Sequence, residues 1–419
     1  MTIVLGIVVL LLAVAGVPLF VVIATSALAS YGMVELDSSL FFIEMYGLAD
    51  TPILISIPLF AFAGYLMAES GSPQRLLRVS RALMGWMPGG LALVALITCA
   101  AFTALTGASG VTIIALGGLL YPALISERYG ERFSLGLITT SGSRGLLFPP
   151  SIPLILFAIV AQESVDDMFR GGLLPGILMV GLMGVYGVFA GARGRTERTP
   201  FSWKEAGAAI WEAKWELPLP VIVLGSIFGG WLAVSEAAAL TAFLVLVVEL
   251  LLYRDVKLRD LPRIIRECMV LVGGILIILG AALAYTNYLI DAEVPFQILE
   301  TMQSHVSGKI MFLLVLNIFL LIVGCMLDIF SALVVVVPLI APIALEYGVH
   351  PVHLGVIFLT NLEIGYSTPP VGLNLFISSF RFKKPIVRLY LAALPFLVIS
   401  LIGLILITYF PQLTLWLVE

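Results

Sequence analysis

Residues 119–157 read LLYPALISERYGERFSLGLITTSGSRGLLFPPSIPLILF, and residues 339–377 read LIAPIALEYGVHPVHLGVIFLTNLEIGYSTPPVGLNLFI. Pro122, Pro149, Pro150 and Pro175 return as Pro342, Pro369, Pro370 and Pro395 at one offset of 220 without a gap. Thr140 and Gly145 return as Thr360 and Gly365 at the same offset. Each unit is a hairpin arm, an apolar helix, a Gly-x-x-x-Pro-Pro break and a second half-helix. Proline lacks an N–H and clashes with the turn before it, so neither Pro-Pro pair fits inside a continuous helix. The chain contains itself twice.

The sequence around these units is that of a membrane protein. Of 419 residues, 61% are hydrophobic and only 11% charged, where soluble domains carry about 25%. With a mean hydropathy of +1.12 there is too little polar sequence to cover a water-facing surface, and lipid is the expected solvent. Apolar runs that are continuous rather than alternating exclude an outer-membrane barrel. A net charge of −4 gives no case for nucleic acid. Cys99, Cys268 and Cys325 lie isolated in apolar runs and read as packing residues.

Runs able to cross a hydrocarbon core of about 30 Å are 1–29, 51–68, 133–161, 172–192, 218–231, 236–253, 268–290, 351–380 and 387–410. The length of 1–29 and its lack of an early basic region mark it as a retained span rather than a signal peptide. Stretches 89–125 and 310–345 break at Thr106-Gly107-Ala108-Ser109-Gly110 and Gly324-Cys325-Met326-Leu327-Asp328, and read as re-entrant hairpins. With this threading 19 of the 22 basic residues, Arg195 and Arg198 among them, fall on the cytoplasmic side. Only Arg170 and Lys309 fall outside, where the loops carry acids such as Glu35, as the positive-inside rule requires. The N-terminus is then cytoplasmic and the C-terminus periplasmic. Segments 74–86, 203–216 and 255–267 mix charged with apolar residues and read as helices along the cytoplasmic surface. Trp86, Trp203, Trp211 and Trp215 mark the inner boundary, Trp231 and Trp416 the outer one.

The first unit runs from inside to outside and the second from outside to inside. The fold class is thus an all-α polytopic membrane protein of two inverted-topology repeats, each with a re-entrant hairpin and a Pro-Pro-broken helix. Residues 1–192 form the first repeat, with hairpin 89–125 and broken helix 133–161. Residues 193–234 form a cytoplasmic surface helix and a linking span. Residues 235–419 form the second repeat, with hairpin 310–345 and broken helix 351–380. Secondary transporters have this architecture, with the binding site at the repeat interface.

Carbonyls freed at the two breaks need partners, because an unsatisfied polar group in hydrocarbon costs several kcal/mol. A hard cation such as Na⁺ is one partner; Ser, Thr or water is the other. Thr106 and Ser109 at the first hairpin tip, and Thr368 in the second break, offer hydroxyl oxygens. Half-helix N-termini at the same depth suit a carboxylate. Asp328 reads equally as the N-cap of the second hairpin arm and as part of a cation site. Arg144 and Glu363, at nearly equivalent repeat positions, read either as an ion pair across the pseudo-twofold axis or as Arg144 grasping a substrate anion. Ser143 and Asn361 stand with them as candidate substrate contacts. His350 and His353 read as surface polarity at the outer interface, and Glu249 as a carboxylate snorkelling from the inner end of its span. No H-E-x-x-H, G-x-S-x-G or Walker sequence occurs, so neither an enzyme nor an ATP-driven pump is expected.

In TTSGSRGLLFPPSIPLILFA (139–158), LDIFSALVVVVPLIAP (327–342) and NLEIGYSTPPVGLNLF (361–376) the sequence resembles the large membrane (M) subunit of tripartite ATP-independent periplasmic (TRAP) transporters. The resemblance runs through most of the chain. It implies an elevator-type secondary transporter of the bacterial or archaeal inner membrane, driven by sodium as coupling ion and without a cofactor. The cargo is a small organic acid handed over by a periplasmic substrate-binding protein, and a separate small four-helix membrane subunit is the second partner. Sodium is implied near Thr106, Gly145, Phe148 and Pro150 and, by symmetry, Asp328, Gly365, Thr368 and Pro370. Arg144 departs from a position that is more often apolar in the family, so the substrate does not carry over. The competing readings are a stand-alone sodium-coupled organic anion symporter without a binding protein, an intramembrane enzyme using Asp328 and Glu363, and a passive channel.

Overall fold

A computed structural model of the chain describes residues 11–12, 15, 17–33, 37–194 and 200–418. The expected span 1–29 lies partly outside these residues, and Glu35, Arg195 and Arg198 wholly so. The first half holds α1 (Leu19–Met33), α2 (Ser39–Gly47), α3 (Ser56–Ala68), α4 (Ser72–Met84), α5 (Gly90–Thr106), α6 (Ser109–Ala115), α7 (Gly117–Ser126), α8 (Glu131–Ser141), α9 (Ile152–Ala161) and α10 (Val165–Gly194). After α11 (Trp203–Glu212) and α12 (Pro218–Phe228), the second half holds α13 (Val234–Val247, continued by a π turn to Leu252), α14 (Leu261–Asp291), α15 (Val294–Gln303), α16 (Lys309–Met326), α17 (Ile329–Glu346), α18 (Pro351–Gly365), α19 (Leu373–Phe382), α20 (Ile386–Tyr409) and α21 (Gln412–Leu415).

Adding 220 to the first half reproduces the second. The pair α6–α7 maps onto α17 at both ends, α5 onto α16 within one residue, and α8, the break and α9 onto α18, its break and α19. The correspondence extends beyond the motifs, since α1, α3 and α4 fall on α13, α14 and α15. Both Pro149–Pro150 and Pro369–Pro370 peptide bonds are cis.

Contacts at the two ends fix the relative direction of the repeats. Glu131, which opens α8, pairs with Lys384, just past the end of α19, and Arg132 Nη2 donates to Leu391 O at 2.7 Å. At the opposite end, a Cβ on Gly171 in the first turns of α10 would stand 2.6 Å from Val352 at the start of α18. One broken helix begins where the other ends, so the repeats are inverted. The hairpins follow suit. Arg81 on α4 joins Glu127 at the end of α7, 2.6 Å apart, while Lys309 at the mouth of the second hairpin donates to Gly348 O at the other end of the molecule, at 2.6 Å.

Six of the described helices are long and apolar enough to cross a membrane, or up to eight when bent pairs are joined. Val185, Val221 and Val270 are each 72% exposed, which suits contact with lipid rather than water. The second hairpin is deeper than two half-depth helices, because each of its arms has 18 residues, about 27 Å of helix.

Three expectations are corrected. Residues 261–267 are not a separate surface helix: with Pro262 in its first turn, α14 runs unbroken for 31 residues, about 46 Å, so its charged first turns extend beyond the hydrocarbon. His353 is not surface polarity. His350 caps α18 by accepting from Val352 N, and one turn on His353 faces inward, 1% exposed, with Nε2 donating to Thr408 O and Nδ1 3.1 Å from Thr414 Oγ1. Glu249 does not snorkel to water; it is fully buried against Arg75 of α4. The loop 291–308 also contains a helix, α15, which the sequence reading left unassigned.

Close packing of each hairpin tip on a break depends on glycine. A Cβ at Gly365 would lie 2.3 Å from the Gly324 carbonyl carbon, and one at Gly145 would lie 2.2 Å from Ala100 O. Gly274 in α14 has nothing within 4 Å. Overpacking typically costs about 1–3 kcal/mol, and here the obstacle is backbone. Gly365→Ala and Gly145→Ala are therefore expected to lower the melting temperature and folded yield of the purified protein, while Gly274→Ala leaves both unchanged or raised. Equal stability of all three would contradict the tip-on-break packing.

Candidate functional site

The first break spans residues 142–151, between α8 and α9, and the second spans 366–372, between α18 and α19. In each, the glycine carbonyl closes a turn of the same type: Phe148 N donates to Gly145 O at 3.0 Å, and Thr368 N to Gly365 O at 2.9 Å. The neighbouring hairpin supplies further partners. Thr103 Oγ1 of α5 donates to Gly142 O at 2.7 Å and lies 2.6 Å from Thr112 Oγ1 across the first tip. In the second unit Gly372 N donates to Cys325 O at 3.1 Å, and Ile329 N donates to Tyr366 Oη at 2.6 Å. Backbone groups that a continuous helix would pair within itself are thus paired across the tips.

Asp328 acts as the N-cap of α17, its Oδ1 accepting from Phe330 N and Ser331 N at 3.0 Å each, while Oδ2 accepts from Ser331 Oγ. Thr368 Oγ1 donates to Ile364 O at 2.8 Å. Pro370 O accepts from Tyr390 Oη at 2.6 Å. Ser109 Oγ reaches the other repeat, donating to Asn374 Oδ1 at 2.8 Å. Thr106 Oγ1 is buried at the first tip without a protein partner, as are Ser151 Oγ and Ser367 Oγ beside the two Pro-Pro pairs. Phe148 packs its ring where a Cβ on Gly176 would stand 2.9 Å away. Pro150 precedes the N-cap of α9, and Pro370 lies two residues before Gly372, the N-cap of α19.

Ser143, Arg144, Asn361 and Glu363 are all fully buried. Arg144 Nη1 lies 2.9 Å from Glu363 Oε1, and Nη2 donates to Ser400 Oγ at 2.9 Å. The pairing is one of charge at short range: Arg144 Nε and Nη1 and both Glu363 carboxylate oxygens make no well-aligned hydrogen bond. Ser143 Oγ donates to Glu363 O at 3.4 Å, so two positions 220 apart touch. Asn361 turns elsewhere: Nδ2 donates to Asn317 Oδ1 at 2.7 Å and to Ile357 O at 2.8 Å. Three of the four candidate substrate contacts therefore gather at the repeat interface, and the fourth belongs to a side network with Asn317 and Thr408.

Sequence reasoning passed over Asn374, which bridges the repeats by accepting from Ser109 and donating its Nδ2 to Thr139 O at 3.3 Å. It also passed over Tyr366, Ser400 and Asn317. A lone Asn in the apolar run 309–326, and a second just after Gly372, were the available signals. Tyr366 and Ser400 have no local signature, since only the folded chain brings them to their partners.

Chemically, the site joins two half-helix N-termini and two hairpin tips in a zone rich in hydroxyl and carbonyl oxygens, with one buried ion pair at its centre. Its oxygen-rich tips suit a hard cation, and the N-termini of α9 and α19 suit an anion.

Comparison with known proteins agrees with this geometry. The family model described as the tripartite ATP-independent periplasmic transporter, DctM component, matches residues 4–413. The C4-dicarboxylate TRAP transporter large permease protein DctM of Vibrio cholerae serotype O1 is 36% identical over 386 residues, covering 87% of this chain and 85% of that protein. The isethionate TRAP transporter permease protein DctMQ of Oleidesulfovibrio alaskensis is 34% identical over 410 residues, covering 96% of this chain; the chain spans 64% of that relative's length. Among solved structures, the Alcanivorax borkumensis YdaH transporter superposes with a TM-score of 0.63 over 90% of both chains at 13% sequence identity, a likeness of fold alone.

Breaking a buried ion pair costs about 3–5 kcal/mol, whereas replacing both partners with apolar residues is often neutral. Arg144→Leu and Glu363→Leu are each expected to lower the melting temperature, and the double variant to recover most of the loss. A double variant no more stable than either single one would show that Arg144 has another essential partner.

Proposed function

The chain belongs to the tripartite ATP-independent periplasmic transporter DctM-component family, and from that premise we propose that it imports a small organic anion across the cytoplasmic membrane by coupling to sodium. The observation that carries this reading is the pair of glycine-fitted hairpin tips, each seated on a Pro-Pro break and running in opposite directions. Such a pair offers one substrate zone with two exits, which alternating access requires.

In this reading Na⁺ is a co-transported ion. Thr106 is the first candidate ligand, because its hydroxyl oxygen is buried at the tip with no protein partner. Main-chain oxygens at Gly145, Phe148 and Pro150 complete that site, with Ser109 nearby. Asp328, Gly365, Thr368 and Pro370 form the second. There Asp328 is engaged by its helix cap and Pro370 by Tyr390, so Thr106 is the least committed side-chain ligand named for either site. The substrate carboxylate is assigned to the facing N-termini of α9 and α19. Ser143, Arg144 and Glu363 form the buried floor beneath it, with Asn361 beside them.

Delivery by a periplasmic binding protein, and work with a small membrane subunit, follow from the family reading. The DctMQ name of one relative, longer than this chain, supports the second partner. An elevator movement of the hairpins and broken helices against the remaining spans is the matching mechanism. An intramembrane enzyme finds no support, since Asp328 is a helix cap and Glu363 pairs with arginine.

Uptake driven by a sodium gradient in reconstituted vesicles tests the coupling. Thr106→Val removes one oxygen and keeps the shape. It is expected to move the sodium activation curve about tenfold higher, equivalent to about 1.4 kcal/mol of binding, without changing which anion is preferred. Sodium-independent uptake by the unaltered protein would refute the coupling. The orientation has its own check: an impermeant thiol reagent should reach Glu293→Cys but not Lys383→Cys in intact cells, and labelling of Lys383→Cys from outside would reverse it.

A further inference from the structure

Where α4 meets the linking segment, the molecule buries a charge cluster that transport of an anion does not call on. Arg75 of α4 reaches into it. Its Nε donates to Glu216 Oε1 at 2.8 Å, Nη2 to Glu249 Oε2 at 3.2 Å, and Nη1 to Asp255 Oδ2 at 2.6 Å. The Tyr253 ring lies under the guanidinium, 3.8 Å from its carbon. Burial works against the Arg75 charge, and the hydrogen bonds it donates to Glu216 and Asp255 more than offset it, so the guanidinium stays ionised.

The negative side is oversupplied. Asp255 is partly exposed and also accepts from Gly71 N at 2.9 Å, so water and backbone share its charge. Glu216 and Glu249 have side chains only 0% and 1% exposed. Each keeps one buried oxygen, Glu216 Oε2 and Glu249 Oε1, with no hydrogen-bond partner. Both carboxyl groups lie on one nitrogen of the guanidinium, Arg75 Nη2, at 2.5 Å and 3.2 Å. Two ionised carboxylates on one guanidinium would leave a buried negative charge uncompensated, which interiors do not tolerate. Among the described residues no second Lys or Arg is seen to pair with either. Arg78 is taken by Glu205 and Glu212, Lys214 lies over the Trp211 ring, Arg254 donates to Leu251 O, and Arg263 of α14 pairs with Glu69 and Glu267 at the surface. The remaining facing groups, Ser70 and Tyr253, are neutral.

We propose that Glu216 and Glu249 hold one proton between them at neutral pH, a proton-binding site that fastens α4 to the linking segment before α12 and to the end of α13. One shared proton makes the carboxyl pair and Arg75 neutral together, as carboxylate pairs do when like charges crowd. The site stands at a mechanical junction. From Arg75 the chain runs through α4 directly into the first hairpin, whose far end is held by Arg81 on Glu127.

The direction of the pH response follows. An unfolded chain gives up this proton above the ordinary carboxylate range of about 4.3, while the folded protein retains it. The folded state then binds more protons than the unfolded one, and stability falls as pH rises through the titration of the site.

Infrared spectroscopy of the purified full-length chain reads the proton directly. A deuterium-sensitive carbonyl stretch of a protonated carboxylic acid is expected at neutral pH, and the same component should be lost in both Glu216→Gln and Glu249→Gln. Each substitution leaves a single buried carboxylate to balance Arg75. Retention of the component in either variant overturns the shared proton. Thermal unfolding gives a second reading: the melting temperature of the unaltered protein should fall from neutral to alkaline pH, and Glu249→Gln, which keeps the shape of the neutral form, should flatten that slope. A melting temperature of the unaltered protein that is level or rises over that range overturns the proposal without recourse to any variant.

Discussion

Hydrocarbon offers no hydrogen bonds, and most of this structure follows from that. Each Pro-Pro break frees main-chain groups that a continuous helix would pair within itself, so each must be met by another part of the protein. The hairpin tips are that part. Gly324 against Gly365, and Ala100 and Thr103 against Gly145 and Gly142, bring backbone onto backbone at separations that exclude a side chain. A break without its tip would carry unpaired groups at several kcal/mol each, and a tip without its break would be a polar turn in lipid. Each makes the other admissible.

The two halves use this device with different side chains. At the first tip hydroxyls predominate: Thr103, Thr106, Ser109 and Thr112 are all buried. At the second, an aspartate caps the returning arm and a tyrosine hydroxyl accepts from the first amide of α17. One fold is thus held twice by unlike chemistry, and the less committed oxygens lie at the first tip. A second buried polar thread, from Asn361 through Asn317 and Thr408 to His353 and Thr414, ties α16, α18, α20 and α21 into one body. The arm α16 is therefore pinned to the broken helix behind it.

Much of the fold was legible because proline and glycine act locally. Their offset of 220 located both breaks, the polar kinks located the hairpins and the distribution of Lys and Arg gave the inversion, and the helix boundaries reproduce the offset well beyond the quoted motifs. What the sequence concealed was long-range partnership. Glu249 looked able to reach water because its own span ends nearby, yet Arg75, 174 residues away, holds it inside. His353 sat beside a proline and read as an interface residue, but the chain's last helices return to cover it. Residues 255–267 carried the charge of a surface helix, and only the absence of a breaker after Pro262 lets α14 continue through them. At the site, the Arg144–Glu363 proximity was foreseeable from equivalent numbering, whereas Ser400 and Asn374 complete the interface from elements with no motif.

The contact of Ser143 with Glu363 bears on how closely the halves can match. Residues 220 apart that touch must lie on the axis relating the halves. Two identical half-length chains assembled about that axis would set each such residue against its own copy, Glu against Glu or Ser against Ser. A glutamate there would meet its duplicate in a medium that cannot screen the repulsion. Ser143 in one half against Glu363 in the other shows that the halves differ at this axis, which a single continuous chain permits and strict self-assembly of identical halves forbids. The axis is thus the one place where unlike side chains from the two halves replace the like-on-like contact that exact symmetry would impose.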